Sequence, residues 1–381
     1  MFLEDLSRRF NIILRDRRSF MKARAMVVVE PGRLELKEFE VIPPGKDQIL
    51  LKTRATSICA SDPKIFLNAV PPGGRFPLIM GHEIAGEVTE IGQEAAALHG
   101  LKVGDRITPE PMLVCGHCEW CRTEFNYHKC RPLKAYGWTM AADTPPYLFG
   151  GYAEYMYLVP GSLVHKLEDE TPFLAGCFSS VMGNGVRWVK YLGQMTFGQS
   201  LAISGVGSQG LATLIAAREC GVGPIVMMGL GRDEHRFNLA KEFGVDFTVN
   251  IEKENPLEVV PDLLGGPPDV VIETSGVPSA IVTAIDLVKM KGRVVCIGVS
   301  GRQKTPVDFD TLVVKGIHIL SDHAQAGNVK DAVRIINSRK YALEKIHNFT
   351  YSLEDLSRAL EETTNPPEGF IKGVILFEDR A

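Results

Sequence analysis

Two textures of apolar and polar positions divide the chain. From residue 25 to about 176 the apolar positions come in short runs broken by Gly and Pro, clearest at 25–29, 48–58, 83–91 and 103–108. Such runs read as strands, and their close spacing predicts a barrel-like, mostly β domain. After Gln199 the pattern changes. A four-residue apolar strand is expected at 201–204, then a stretch of helical period rich in Ala and Leu at 207–220. Further strands are expected at 225–228, 269–273, 293–298 and 317–321, with helices at 233–243 and 278–289 between them. Strands alternating with helices of that length make βαβ units and a parallel sheet. Helical stretches at 329–338 and 353–362 and an apolar strand at 373–377 close the chain. The expected fold class is α/β: a β-rich domain from 21–178 and 324–381 carrying an inserted, doubly wound parallel-sheet domain at 179–323.

Residues 1–20 stand apart. Leu3, Leu6, Phe10 and Ile13 recur at roughly helical spacing among five arginines. The acids Glu4, Asp5 and Asp16 make the stretch a poor transit peptide, so it reads as a packing helix or frayed N-terminal extension.

Length and composition narrow the class. A chain of 381 residues is long for one core, so two domains are expected. No run approaches the ~18 apolar residues of a membrane span. A net charge of -4 argues against a partner held by phosphate contacts, so neither nucleic acid nor membrane is expected. Four of the eight cysteines fall within residues 115–130, and no secretory signal is evident. That distribution reads as metal binding in a reducing compartment, hence a cytoplasmic protein.

Cys115, Cys118, Cys121 and Cys130 have the spacing of a closed tetrahedral zinc site, which leaves no position for substrate. His117 and His128 lie in the same loop as bystanders, because four sulfurs already fill the site. Gly205-Val206-Gly207-Ser208-Gln209-Gly210 is G-x-G-x-x-G after an expected strand and before an expected helix. In that context the glycines allow a tight turn, close approach of a pyrophosphate, and helix-on-strand packing. The helix N-terminus supplies free N–H groups for phosphate. At the end of the second strand an NAD site carries a carboxylate for the ribose 2′-OH; here that position is Gly229, and Arg232 follows. A lost negative charge beside a guanidinium leans toward NADP.

Cys59-x-Ser61-Asp62, Gly81-His82-Glu83-x-x-Gly86, Gly104-Asp105-Arg106, the cysteine loop and the glycine fingerprint together resemble the zinc-containing medium-chain alcohol and polyol dehydrogenases, from about residue 21 to the end. The resemblance implies a GroES-like catalytic domain, a Rossmann-type nucleotide domain, two Zn²⁺ per chain, NAD(P), and a homodimer or homotetramer. It implies a catalytic zinc on Cys59, His82 and Cys177, with Glu83 behind or transiently on the metal and Asp62 fixing His82. Three ligands leave one position for the oxygen of a small alcohol or carbonyl substrate, and the metal stabilises the alkoxide that expels hydride to the nicotinamide. Ser61 matches the hydroxyl that takes the alcohol proton, and Lys64 stands where many members place a histidine. Thr274, Gly298 and Lys372 match positions around the cofactor ribose, nicotinamide and phosphates. The implied reaction is hydride transfer between a secondary alcohol or polyol and NAD(P). A zinc-free quinone or enoyl reductase would lack Cys59 and His82, and a non-catalytic dinucleotide-binding protein would be expected to have lost a ligand or Ser61.

Overall fold

The computed structural model describes residues 21–70, 73–123, 125–131 and 133–378. The extension read at 1–20 lies outside them. In chain order the strands of the first half are Lys22–Glu30 (β1), Arg33–Glu40 (β2), Ile49–Ser57 (β3), Leu78–Ile79 (β4), Glu83–Ile91 (β5), Arg106–Pro109 (β6), Tyr155–Leu158 (β7) and Val164–Lys166 (β8). Then come Leu201–Ser204 (β9), Ile225–Gly229 (β10), Phe247–Asn250 (β11), Val270–Glu273 (β12), Arg293–Cys296 (β13) and His318–Leu320 (β14), and finally Phe349–Tyr351 (β15) and Gly373–Leu376 (β16).

β9 to β14 form one six-stranded sheet in the order β11-β10-β9-β12-β13-β14, every pair parallel. A parallel sheet covered on both faces shows as unbroken apolar runs rather than alternation. Val270, Val271 and Ile272 of β12 are accordingly all fully buried. Each such side chain contributes roughly 1.5–3 kcal/mol by leaving water. Helix Ser208–Glu219 is buried from Gly210 through Ala217, because the sheet covers one side and helix Ser179–Val186 the other. An all-round apolar helix needs cover on both sides.

The other half is antiparallel except for the parallel pair β15–β16. β3 runs through the centre of a seven-stranded sheet, paired with β5 on one side and β16 on the other, and with β7 toward its start. β15 and β16 come from the C-terminal stretch, so the chain returns to its first sheet after building the parallel one. Several elements were not legible from pattern, among them β2, whose burial alternates weakly, the short strands β4, β7, β8, β11 and β15, helices Gln93–His99, Pro256–Leu264 and Phe309–Lys315, and the helix Ser179–Val186 with its π-helical continuation Arg187–Leu192. Among the described residues no helix is long and apolar enough to cross a membrane.

Candidate active site

Strand register builds the first cluster. In the β3–β5 ladder Ser57 stands opposite Glu83, so the chain leaving β3 carries Cys59 to the point where His82 and Glu83 enter β5. The ligand atoms of Cys59, His82 and Glu83 all lie within 4.8 Å of one another. Asp62, at the start of the short helix Asp62–Phe66, is fully buried. Its Oδ1 faces His82 Nδ1 at 3.2 Å. Its Oδ2 accepts from Cys59 N at 2.9 Å and from Tyr152 Oη at 2.6 Å. One carboxylate thus fixes both the sulfur-bearing turn and the imidazole. Burial alone would raise the Asp62 carboxyl, yet His82, Tyr152 and the Cys59 amide hold it below its ordinary value. With Nδ1 turned to Asp62, the imidazole keeps Nε2 as its free nitrogen, which is how a carboxylate orients a metal-binding histidine. Ser61 Oγ donates to Cys59 Sγ at 3.2 Å.

A thiol, an imidazole and a carboxylate in one partly buried group form a donor set suited to Zn²⁺. The four loop cysteines form a second group, their sulfurs also within 4.8 Å of one another. Cys118 N and Cys121 N donate to the sulfurs of Cys115 and Cys118 at 3.4 Å each, the turn geometry that brings a C-x2-C-x2-C run onto one centre.

The cluster opens into a cavity of about 220 Å³ lined by Cys59, Ser61, His82 and Glu83 on one wall and by Gln209, Asn184 and His323–Gln325 on another. A larger cleft of about 500 Å³ lies along the C-terminal ends of β9, β10 and β12. This is the crevice where open α/β sheets bind ligands. Gly205, Gly207, Ser208, Gln209, Gly229, Arg232 and Thr274 line it. Gly205 has φ 104°, and a Cβ on Gly210 would collide with the Gly205 carbonyl. A Cβ on Gly207 would meet nothing within 4 Å, leaving the helix N-terminus open. Gln209 lines both cavities, and Ala60 in the cleft neighbours Cys59 and Ser61 in the smaller one.

The family model of the alcohol dehydrogenase GroES-like domain matches residues 45–169, and that of the zinc-binding dehydrogenases matches 209–338. A Mycobacterium tuberculosis protein named as an alcohol dehydrogenase is 31% identical over 363 residues, 92% of this chain and 98% of its own. The chain belongs to the zinc-containing medium-chain dehydrogenases. An erythritol/L-threitol dehydrogenase of Mycolicibacterium smegmatis is 29% identical, covering 89% of this chain and 94% of its own. A solved structure from Sinorhizobium meliloti, described as a zinc-binding dehydrogenase bound to NADP, superposes with TM-score 0.83 at 25% identity, covering 94% of this chain and all of that one. As a medium-chain dehydrogenase the protein is an enzyme of zinc-dependent alcohol or polyol oxidoreduction that uses NAD(P).

Four residues assigned from the sequence stand elsewhere in this dehydrogenase. Cys177 is not in the metal-ligating group. It ends the short helix Phe173–Gly176 with its thiol fully buried, donating to Leu174 O at 3.4 Å and lying 3.9 Å from His347 Nε2. Burial pushes that thiol well up. Ser180 and Asn184, four apart on the next helix and so on one face, are the residues that line the cavity. Lys372 does not line the nucleotide cleft either. The β16–β3 register buries it beside the metal-ligating group, where Nζ lies 2.9 Å from Glu83 Oε2 and donates to Ile58 O at 2.8 Å. Lys64 is exposed and outside the walls of either cavity. Gly298 meets the backbone of Gly276 so closely that a side chain has no room, and it is not among the cleft residues.

Tyr152, Arg236 and the segment His323–Gln325 were missed. Tyr152 carries no motif. Arg236 lines the cleft from the helix after β10, as does Asp233, whose carboxylate accepts from Leu230 N and Arg236 Nη1 at 3.0 and 2.7 Å. The His323 segment reaches the cavity only through the fold.

Proposed function

We propose that the catalytic zinc of this dehydrogenase is held by Cys59, His82 and Glu83 and a structural zinc by Cys115, Cys118, Cys121 and Cys130, two per chain. The observation that carries the reading is the adjacency of the two cavities, which share Gln209 and meet at the Ala60–Ser61 step, so that a hydride acceptor in the cleft lies next to an alcohol at the cluster. When bound, zinc acts as a Lewis acid that lowers the pKa of an alcohol and polarises a carbonyl. The chain does the rest. Asp62, itself held by Tyr152 and the Cys59 amide, orients His82. Lys372 balances one oxygen of Glu83 and leaves the other for the metal. Ser61 Oγ, beside the Cys59 sulfur, is the hydroxyl placed to take the proton of a secondary alcohol. The turn at Gly205–Gly210 and the open N-terminus of helix Ser208–Glu219 receive the pyrophosphate. Zinc analysis of protein purified without chelators is expected to give about two per chain. A value near one after zinc replenishment would leave only the cysteine loop metallated and remove the catalytic assignment.

NADP is the preferred cofactor in this reading. Gly229 brings no carboxylate to the end of β10, the Asp233 carboxylate at the cleft is engaged by Leu230 N and Arg236, and Arg232 and Arg236 both line the cleft. A side chain at 229 would meet Val206 Cγ2 at 2.5 Å, so Arg232 is the cleaner position to test. Arg232→Glu is expected to lower the NADP/NAD ratio of kcat/KM at least about 10-fold, the scale of one lost charge-assisted hydrogen bond. An unchanged ratio would place specificity elsewhere.

The division at 178/179 and 323/324 is consistent with the six-stranded parallel sheet, whose strands all fall between them, and unpaired thiols gathered in a loop suit a cytoplasmic, reducing compartment. Homo-oligomerisation is supported by β14, the edge of the parallel sheet, which carries Ile319 exposed and stands near the exposed Phe309, Val313 and Val314. Sedimentation at micromolar concentration is expected to give a dimer or larger; a monomer would refute it.

A further inference from the structure

The cavity beside Cys59, His82 and Glu83 contains polarity that the hydride-transfer chemistry does not use. Among the described residues, Gln325 Nε2, Trp138 Nε1 and Asn184 Oδ1 are buried atoms with no hydrogen-bond partner, and all three residues line this one cavity. Gln325 is 3% exposed. Asn184 turns its Nδ2 toward Gln209 Oε1 at 3.5 Å, leaving Oδ1 over. A buried polar atom left unpaired costs about 1–3 kcal/mol, so native proteins rarely leave several in one place unless a ligand, an ion or water completes them.

The fold fixes the Gln325 segment from several sides. Ala324 adopts φ 64°, a conformation uncommon outside glycine, and this turns the following residue into the cavity. The Gln325 side chain then lies against helix Ser179–Val186 where Gly183 has no side chain; a Cβ there would lie 2.9 Å from Gln325 Cβ. The buried Arg187 ties both ends of the segment, through Asp322 Oδ2 at 2.6 Å and Ala326 O at 3.0 Å.

Two N–H donors and one acceptor are the complement of one hydroxyl, which offers two lone pairs and one O–H. Among the described residues no lysine or arginine lines the cavity, so no permanently charged side chain there pairs a second, carboxylate group of the substrate. We propose that Gln325, Trp138 and Asn184 form a subsite for a second hydroxyl of the substrate, so that the enzyme takes neutral diols or polyols in preference to simple alkanols or hydroxy acids. This rests on the active site proposed above. The cavity volume of about 220 Å³ suits a small molecule of this kind, below the ~300–1,000 Å³ of drug-sized pockets.

The test compares butane-2,3-diol with butan-2-ol on the zinc-loaded enzyme, wild type against Gln325→Met and Trp138→Phe. Both substitutions keep most of the side-chain volume and remove the donor. Wild type is expected to favour the diol at least about 100-fold in kcat/KM, because a site built to bond a hydroxyl rejects the analogue lacking it. Each variant is expected to lower the diol-to-alkanol ratio at least about 10-fold, mainly through KM. A ratio near one in wild type, or a ratio that neither variant moves, overturns the subsite. So does a variant whose principal effect is on NADP(H) affinity, since the atoms would then belong to the cofactor. If neither alcohol is turned over, the hydride-transfer reading fails, and calorimetric titration of butane-2,3-diol still decides the subsite. Binding weakened at least about 10-fold in both variants supports it, and absence of binding to wild type overturns it.

Discussion

Replacing Cys59 with serine is expected to lower kcat/KM for alcohol oxidation at least about 1,000-fold while nucleotide still binds. The thiol lies among His82 and Glu83, and its turn is fixed by the bond from Cys59 N to Asp62. Serine preserves that turn but supplies no thiolate, so the site loses its softest donor. Lewis-acid stabilisation is worth several kcal/mol, and about 1.4 kcal/mol corresponds to each tenfold, which gives the three decades. The nucleotide cleft touches this turn only at Ala60, so its glycine turn and helix N-terminus are left intact. Steady-state kinetics, zinc content and NADPH fluorescence titration on the same preparation check the expectation. Turnover within tenfold of wild type, with one zinc lost, would show that the metal at Cys59 does not serve the reaction.

Arg187→Met is expected to destabilise the protein by about 3–5 kcal/mol, the scale for breaking a buried ion pair from one side. Arg187 is fully buried at the start of the π-helical stretch. Its guanidinium donates to Phe125 O at 2.8 Å, Ala326 O at 3.0 Å and Asp322 Oδ2 at 2.6 Å. It therefore joins the cysteine-loop side, the cavity helix and the 322–326 segment in one network. Methionine fills much of the volume but leaves two carbonyls and part of a carboxylate without their donor. The urea midpoint should fall with little change in slope; a midpoint within the error of wild type would mean that this network contributes nothing net. The pH dependence has a definite sign. Burial would raise the Asp322 carboxyl, but His128, His323, Lys129 and Arg187 hold it far below the ordinary carboxylate range. A depressed folded pKa stabilises above the unfolded value of about 3.9 and is lost as pH falls below it. The gap between wild type and variant should accordingly narrow in acid.

Local rules were sufficient where one segment makes its own structure. The βαβ alternation after residue 200 was legible because buried parallel strands are apolar throughout and helices keep their own period; β9 at Leu201–Ser204 stands where its apolar run placed it. The glycine turn and the cysteine loop were legible for the same reason, since each is one short stretch whose backbone alone dictates which residues it accepts. β2 was not legible because its residues alternate between half-buried and exposed, and helix Pro256–Leu264 carries an internal Pro261 that reads as a breaker.

The sequence by itself determined the α/β class, the two kinds of sheet, the phosphate-binding turn, the four-sulfur loop and the Cys59, Asp62, His82 and Glu83 constellation. Tertiary structure alone decided what meets that constellation across the chain. Cys177 was nearby in motif order, but helix phase gave the cavity face to Ser180 and Asn184. Lys372 was assigned to phosphates, but the β16–β3 register delivered it to Glu83. Gln325 reached the cavity from some 240 residues beyond His82, through a strained alanine and a glycine on a facing helix. Motifs record constraints between neighbours in sequence, whereas these contacts are set by strand register and helix rotation, which depend on the whole packed core.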